Sequence, residues 1–410
     1  MLKSYFARLP LTDRITFAKE LWAAVCYGAF AGLALPLILI VARRIGMSPA
    51  GITAMVTMQF VGALFGVLFG HLADRRAKMP FVLWPSLLAR GLIGLLAFAR
   101  TPVPFLIVVS LFNLLVNLGA PAYSSIMRTN YSDAYRGRLM GNIRIVTMTV
   151  STVGSACAGI LLHANEAIVR WLFLAAAVFG MLSALIFARI RVRREPAIPS
   201  RAPESFVGAF RTVARNAPFL LFMGILFLCA TPDKLAVPLE PIWLVDFLHL
   251  GYGEASFLLG TVVSVASIAG YYLWAKALRR FNSFTVLAAV VFLFALRFAA
   301  LGLARTSSQL LPMSILSGIV NAGWDLVPIF CIIALSDRSN FSMYIGFNTT
   351  CFGIRGLIGP SIGTFLYSSG VLPLGGIFLM IAALLVLGGS SLWVFSRGQG
   401  ARFGARAGAH

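Results

Sequence analysis

Gly70-His71-Leu72-Ala73-Asp74-Arg75-Arg76-Ala77-Lys78 separates two long apolar runs, one ending at Phe69 and the next beginning near Pro80. The stretch is opened by glycine and holds one acid and three bases. It is too short to be a domain, and its charge is incompatible with burial beside apolar runs on both sides. It reads as a polar turn between two helices that each cross a membrane.

Composition carries the same message. Of 410 residues, 59% are hydrophobic and 11% charged, and the mean hydropathy is +0.89. Soluble domains carry roughly 25% charged residues, so the chain is read as an all-α integral membrane protein. The net charge of +21 does not indicate a nucleic-acid partner, because the basic residues are scattered over short loops and form no soluble patch. Cys26, Cys157, Cys229, Cys331 and Cys351 all lie within apolar runs and lack metal-ligand spacing, which argues against disulfides and a metal site. His71, His163 and His249 lie at or near run boundaries, so no cofactor is expected. Residues 1–20 are amphipathic and mixed in charge; Ser4 to Lys19 is expected to lie as a helix on the cytoplasmic face.

A helix needs about 20 mostly apolar residues to cross the hydrocarbon core. Twelve runs qualify, at about 21–42, 48–69, 80–99, 102–127, 138–162, 167–188, 217–245, 251–274, 283–304, 309–335, 341–367 and 374–395. Lys and Arg concentrate at the N-terminus, in the 70–78 and 128–138 loops, in Arg189–Arg215, around Lys276–Arg280 and in the tail. Opposite loops hold Arg43, Arg44, Arg100, Arg170 and Arg305. The positive-inside rule then places both termini in the cytoplasm. The proline- and arginine-rich segment 189–216 is expected to be a cytoplasmic linker between bundles at 21–188 and 217–395, and 396–410 a disordered tail.

The halves echo each other. Val116-Asn117-Leu118-Gly119 precedes Ser132-Asp133, and Val320-Asn321-Ala322-Gly323 precedes Ser336-Asp337. The Asn-to-Asp separation is 16 in both, and the offset of 204 is about half the chain. Gly70, Leu72, Ala73, Asp74, Arg75 and Lys78 also resemble the loop signature of the major facilitator superfamily, Gly-x-Leu-Ala-Asp-Arg-x-Gly-Arg-basic, with Ala77 departing from its glycine. Gly356-Leu-Ile-Gly359-Pro360-Ser-Ile-Gly363 resembles a Gly-Pro pattern that proton antiporters of that superfamily carry in their fifth helix; here it lies in the eleventh run. The resemblance implies twelve transmembrane helices in two pseudo-symmetric six-helix bundles, a central pathway lined by the first, fourth, seventh and tenth helices, and Gly70, Asp74, Arg75 and Lys78 as a conformational gate.

Ionisable groups inside a membrane are costly and mark pathways or partners. Asp325 shares a three- and four-residue rhythm with Ser314, Ser317 and Asn321, giving a polar stripe on the tenth run. Asn117 occupies the matching place in the fourth run, and Asn348 and Arg355 share a face of the eleventh. An Asp325–Arg355 pair would allow both charges to be tolerated. Asp233 and Glu240 share a face of the seventh run, broken by Pro232, Pro238 and Pro241. Arg90, Arg144 and Arg297 are expected to pack or snorkel. Glu20 is read as an acid opening the first helix at the positive end of its dipole.

No nucleotide-binding or catalytic motif is present, so an enzyme is not indicated. The sequence points to a secondary transporter for a small organic solute, acting as a monomer among membrane lipids. It is read as proton-coupled through Asp325 with Asp233 or Glu240, with export preferred over uptake. Uptake of an anionic or zwitterionic solute on Arg355 or Arg90 is the alternative. A non-transporting receptor or scaffold is the rival from another class.

Overall fold

The computed structural model describes residues 10–74, 77–192, 213–336 and 341–407. Its helices are α1 Leu11–Ala34, α2 Ile38–Arg44, α3 Pro49–Asp74, α4 Lys78–Leu95, α5 Pro102–Leu118, α6 Ala120–Asn130, α7 Asp133–Ala164, α8 Val169–Ala188, α9 Ala217–Ala236, α10 Glu240–Ile242, α11 Tyr252–Ala255, α12 Val263–Leu278, α13 Ser283–Leu303, α14 Leu310–Leu335, α15 Phe341–Ser368 and α16 Leu374–Ala407. Wider π-type turns, Trp243–Phe247 and Ser256–Val262, follow α10 and α11. Among the described residues, nine helical stretches are long and apolar enough to cross a membrane. Trp22, Phe98, Ile160, Trp171, Phe365 and Leu387 stay exposed on the outside, as a surface solvated by lipid requires.

Two compact units form: one of 1–199 with Leu250–Ser264, the other of 200–249 with 265–410. In the first, α1 packs on α7 and α8, α3 on α5, and α4 on α5 and α8. Apolar helices gain nothing by leaving lipid for one another, so close backbone approach has to hold them. A Cβ on Gly32 would lie 2.3 Å from the Ser151 carbonyl oxygen, and one on Gly62 2.3 Å from that of Leu114. Leu250–Ser264 seats on α7 in the same way: a Cβ on Gly253 would stand 2.9 Å from Gly159 O, and Ser256 Oγ donates to Ser155 O at 2.8 Å. At the end of that seam, Arg44 pairs with Glu166 at 2.7 Å, donates to Leu250 O at 3.0 Å and lies over the Tyr252 ring.

In the second unit α13 packs on α14 and α16, and α9 on α15 and α16. The Gly-Pro stretch of α15 makes the α9 contact. A Cβ on Gly363 would fall 2.1 Å from Leu235 O, and one on Gly359 2.4 Å from Lys234 Cβ. The prolines of the seventh run interrupt the helix: α9 ends at Ala236, a turn spans 237–239, and α10 restarts at Glu240.

Several boundaries differ from those read in the sequence. Residues 1–9 lie outside the described part, but α1 already begins at Leu11 and passes through Glu20 without a break. One face of its first turns is packed, where Asp13 accepts from Ser132 Oγ at 2.6 Å and Asn130 Nδ2 donates to Thr16 at 3.3 Å, while Leu11, Arg14 and Ile15 on the other face stay exposed. Glu20 is therefore deep in the third turn and cannot act as a dipole cap. The 70–78 turn is shorter than expected: α3 continues through Asp74 and α4 starts at Lys78. Its Leu and Ala are strong helix formers. Arg75 and Arg76 fall outside the described residues, as do 193–212 of the linker. The fourth run bends at Gly119 before Pro121, dividing α5 from α6. α16 runs to Ala407, past the expected start of a disordered tail, through residues rich in helix-favouring Ala and Arg.

Candidate functional site

Within the second unit the intramembrane charges form two separate arrangements. The first joins α9, α10, α13 and α14. Asp233 accepts from the adjacent Lys234 at 2.5 Å. Arg297 grips Glu240 with both terminal nitrogens, at 2.6 and 2.7 Å, and its Nε donates to Ser317 Oγ at 2.8 Å. Ser317 in turn donates to Met313 O at 2.8 Å. Planar guanidinium meeting planar carboxylate in this two-pronged way is the strongest form of ion pair, and here it ties two helices 57 residues apart in sequence. Of the packing or snorkelling expected for Arg297, the structure shows packing, with its acceptors on α10 and α14. Glu240 is correspondingly committed to a cation.

The second arrangement belongs to α12 and α14. Asp325 is exposed and accepts from Tyr271 OH at 2.7 Å. Trp274 Nε1 and Ser267 Oγ anchor α12 to α14 through Ile319 O and Gly318 O, at 2.8 and 3.1 Å. The stripe read along α14 splits by depth: Ser314 and Ser317 are buried in packing, whereas Asn321 and Asp325 are exposed. A helix face is fixed by periodicity, but not which part of it meets a neighbour.

Arg355 forms no ion pair with either arrangement among the described residues. It is 3% exposed, its Nη1 donates to Leu226 O at 3.1 Å, and its Nε has no hydrogen-bond partner among the described residues. The pair expected with Asp325 is not formed among the described residues; the two side chains are held by α9 and α12 respectively. Asn348, on the same helix as Arg355, is half-buried.

In the first unit the polar groups serve helix packing. Asn117 Nδ2 donates to Gln59 O at 3.0 Å, and Asn113 Nδ2 to Met55 O at 2.8 Å, stitching α5 to α3. Arg90 reaches Gly180 O and Ser183 Oγ at 3.3 and 3.1 Å and stacks over Tyr27. Gly70 and Asp74 are helical and Lys78 opens α4.

One group escaped the sequence reading. Glu20 is 3% exposed, and its two oxygens accept from Tyr123 OH, at 2.7 Å, and from Tyr131 OH. Tyr131 lies in the turn after α6, where burial first, and then the charge of Glu20, push its phenol pKa up. The available signal was an acid one turn after Thr16 and Phe17, in a segment whose apolar positions continue into the first run.

A family model described as Major Facilitator Superfamily matches residues 21–232, just over half of the chain. No curated protein sequence matches. Among solved structures, a mutant of the nucleoside transporter NupG has a TM-score of 0.72 at 12% identity, covering 93% of this chain and 99% of its own. A bacterial homolog of the human lysosomal transporter Spinster gives 0.67 at 13% identity when inward-facing and unoccupied, covering 95% and 98%. Its occupied inward-facing form gives 0.68 at 12% identity, covering 95% and 97%. At these identities the likeness speaks for the fold alone.

Proposed function

Because the chain belongs to the major facilitator superfamily, and is therefore a multi-pass secondary transporter and not an enzyme, we propose that it moves a small organic solute by alternating access between two six-helix bundles, coupled to protons at Asp325. The observation that carries the reading is the setting of Asp325. It lies within the membrane-crossing stretch Ser307–Leu335, exposed, with a tyrosine hydroxyl on its carboxylate. Asp233 and Glu240 are neutralised by Lys234 and Arg297, so they support the fold around the site more readily than they trade protons. Of the three acids weighed from the sequence, Asp325 is the most exposed.

In this reading Asn321 lies one turn from Asp325 and contacts solute, and Asn348 contributes from α15. Gly70, Asp74, Arg75 and Lys78 form the cytoplasmic gate, both termini are cytoplasmic, and the monomer is the working unit. Export is the preferred direction.

Arg355 favours a second reading. A buried guanidinium with an unpartnered Nε is costly, and a solute carboxylate or phosphate would satisfy it. The two readings separate in one experiment. Purified protein is screened for solutes that raise its melting temperature at two pH values, and the best solute is followed into proteoliposomes. Proton coupling at Asp325 predicts that Asp325→Asn keeps counterflow and loses accumulation driven by a pH gradient. Unchanged accumulation in that variant removes Asp325 from the mechanism, and loss of solute binding only in Arg355→Met selects the anion reading.

A further inference from the structure

Glu20 is a buried acid that this mechanism leaves unused. It is the tenth residue of α1, within the membrane-crossing stretch Leu11–Arg44. Its partner Tyr131 belongs to an apolar cluster with Phe17, Ala24, Ile126, Ile143 and Phe187, and Tyr123 packs against that cluster. The other acids of the membrane spans with a recorded ion pair have a cation against the carboxylate: Lys234 on Asp233 and Arg297 on Glu240. Glu20 instead has two phenols, one on each oxygen. Among the described residues this buried carboxylate is held by neutral donors, and the charge of a carboxylate so held is easily removed by a proton.

The neighbouring charges do not change this. On α1, Asp13 accepts from Ser132, and Lys19 donates to the Arg189 carbonyl at 2.5 Å. From α7, Arg144 is exposed and acts electrostatically on Tyr123. The end of α8 brings Arg189 and Arg191, both exposed, and α4 brings Lys78 at its first residue. None of these forms an ion pair with Glu20 among the described residues.

We propose that Glu20 is a proton-binding site of the first unit, and that its occupancy sets the joint between α1 and the α6–α7 turn. On protonation, a proton from cytoplasmic water forms an O–H bond on one carboxyl oxygen and the charge goes from −1 to 0. That oxygen gains a donor and becomes a weaker acceptor, so the charge-assisted bond from the tyrosine facing it is lost and that tyrosine is free to accept instead of donate. Tyr131 is adjacent to Ser132, which is itself fastened to Asp13. Titration of Glu20 therefore rewires the contact by which the start of α1 holds the start of α7. The inference that this proton contributes to transport rests on the proton-coupled reading above; the inference that Glu20 binds it does not.

The test separates the two. Infrared difference spectra of the purified protein between acid and alkaline pH report protonated carboxyl groups directly. The proposal expects a carboxylic-acid C=O band that is lost in Glu20→Gln and kept in Asp325→Asn. Tyr131→Phe, which removes one donor to the ionised form, moves the midpoint of that band toward alkaline pH by roughly one unit or more. This second variant keeps the test decisive if Glu20→Gln folds poorly. Difference spectra in which the band is present in Glu20→Gln, or its midpoint is unmoved by Tyr131→Phe, overturn the proposal. In proteoliposomes, Glu20→Gln is expected to lose accumulation driven by a pH gradient while counterflow persists. Loss of the infrared band together with unaltered accumulation would leave Glu20 a proton site and overturn its part in transport.

Discussion

Replacing Arg297 by methionine tests whether the Glu240 clasp holds the second unit together. The guanidinium makes bonds of 2.6 and 2.7 Å to Glu240 and 2.8 Å to Ser317, and its side chain is 10% exposed against 22% for Glu240. Arg297→Met keeps the aliphatic volume and leaves Glu240 without its cation. Removing one member of a buried pair costs about 3–5 kcal/mol, because the other charge remains unsolvated. Glu240→Gln is expected to cost a similar amount by stranding Arg297. The double variant has no stranded charge, so its loss should fall well short of the sum, giving a coupling energy of about 2–3 kcal/mol. Reversible unfolding in detergent, followed by tryptophan fluorescence across the four proteins of the cycle, measures it. A coupling below about 0.5 kcal/mol, the level at which separate sites simply add, would refute the argument that the pair acts as a unit.

Two further outcomes follow from the helix seams. Gly363→Ala places a methyl group 2.1 Å from the Leu235 carbonyl oxygen, so α9 and α15 must part at a cost of about 1–3 kcal/mol. Gly224→Ala meets nothing within 4 Å and should be neutral or stabilising by up to ~1 kcal/mol through helix propensity; unfolding of the two variants side by side checks the contrast. Gly253→Val wedges the seam against Gly159 and His163. A cysteine at Ser256, which is fully buried, should then gain reactivity toward a thiol reagent in a cysteine-free background, and unchanged labelling would count against the seam.

The membrane character and most helices could be read directly, because apolar length and short basic loops are local properties. The proline breaks before Glu240 and the close approach made by Gly359 and Gly363 were also local, and both are present in the structure. What could not be read was pairing. Arg297 and Glu240 are 57 residues apart, and Glu20 finds its tyrosines 103 and 111 residues away. Spacing says which residues share a face; it does not say which helix arrives there. The same gap explains Asp325 and Arg355, which were expected to pair and instead bond to Tyr271 and Leu226. Helix ends were misplaced where charge was taken to mean loop. Asp13 shows the reason, since a buried carboxylate is acceptable once Ser132 donates to it.

The central claim is that an imposed solute gradient moves protons through this protein. Proteoliposomes carrying a pH-sensitive dye, given a gradient of the solute found by the thermal screen and no ATP, measure it directly. The account predicts a change of lumenal pH when solute is added, reversed in sign when the solute gradient is reversed and absent in Asp325→Asn. Solute flux at an unchanging lumenal pH, equal in parent and variant, would contradict it.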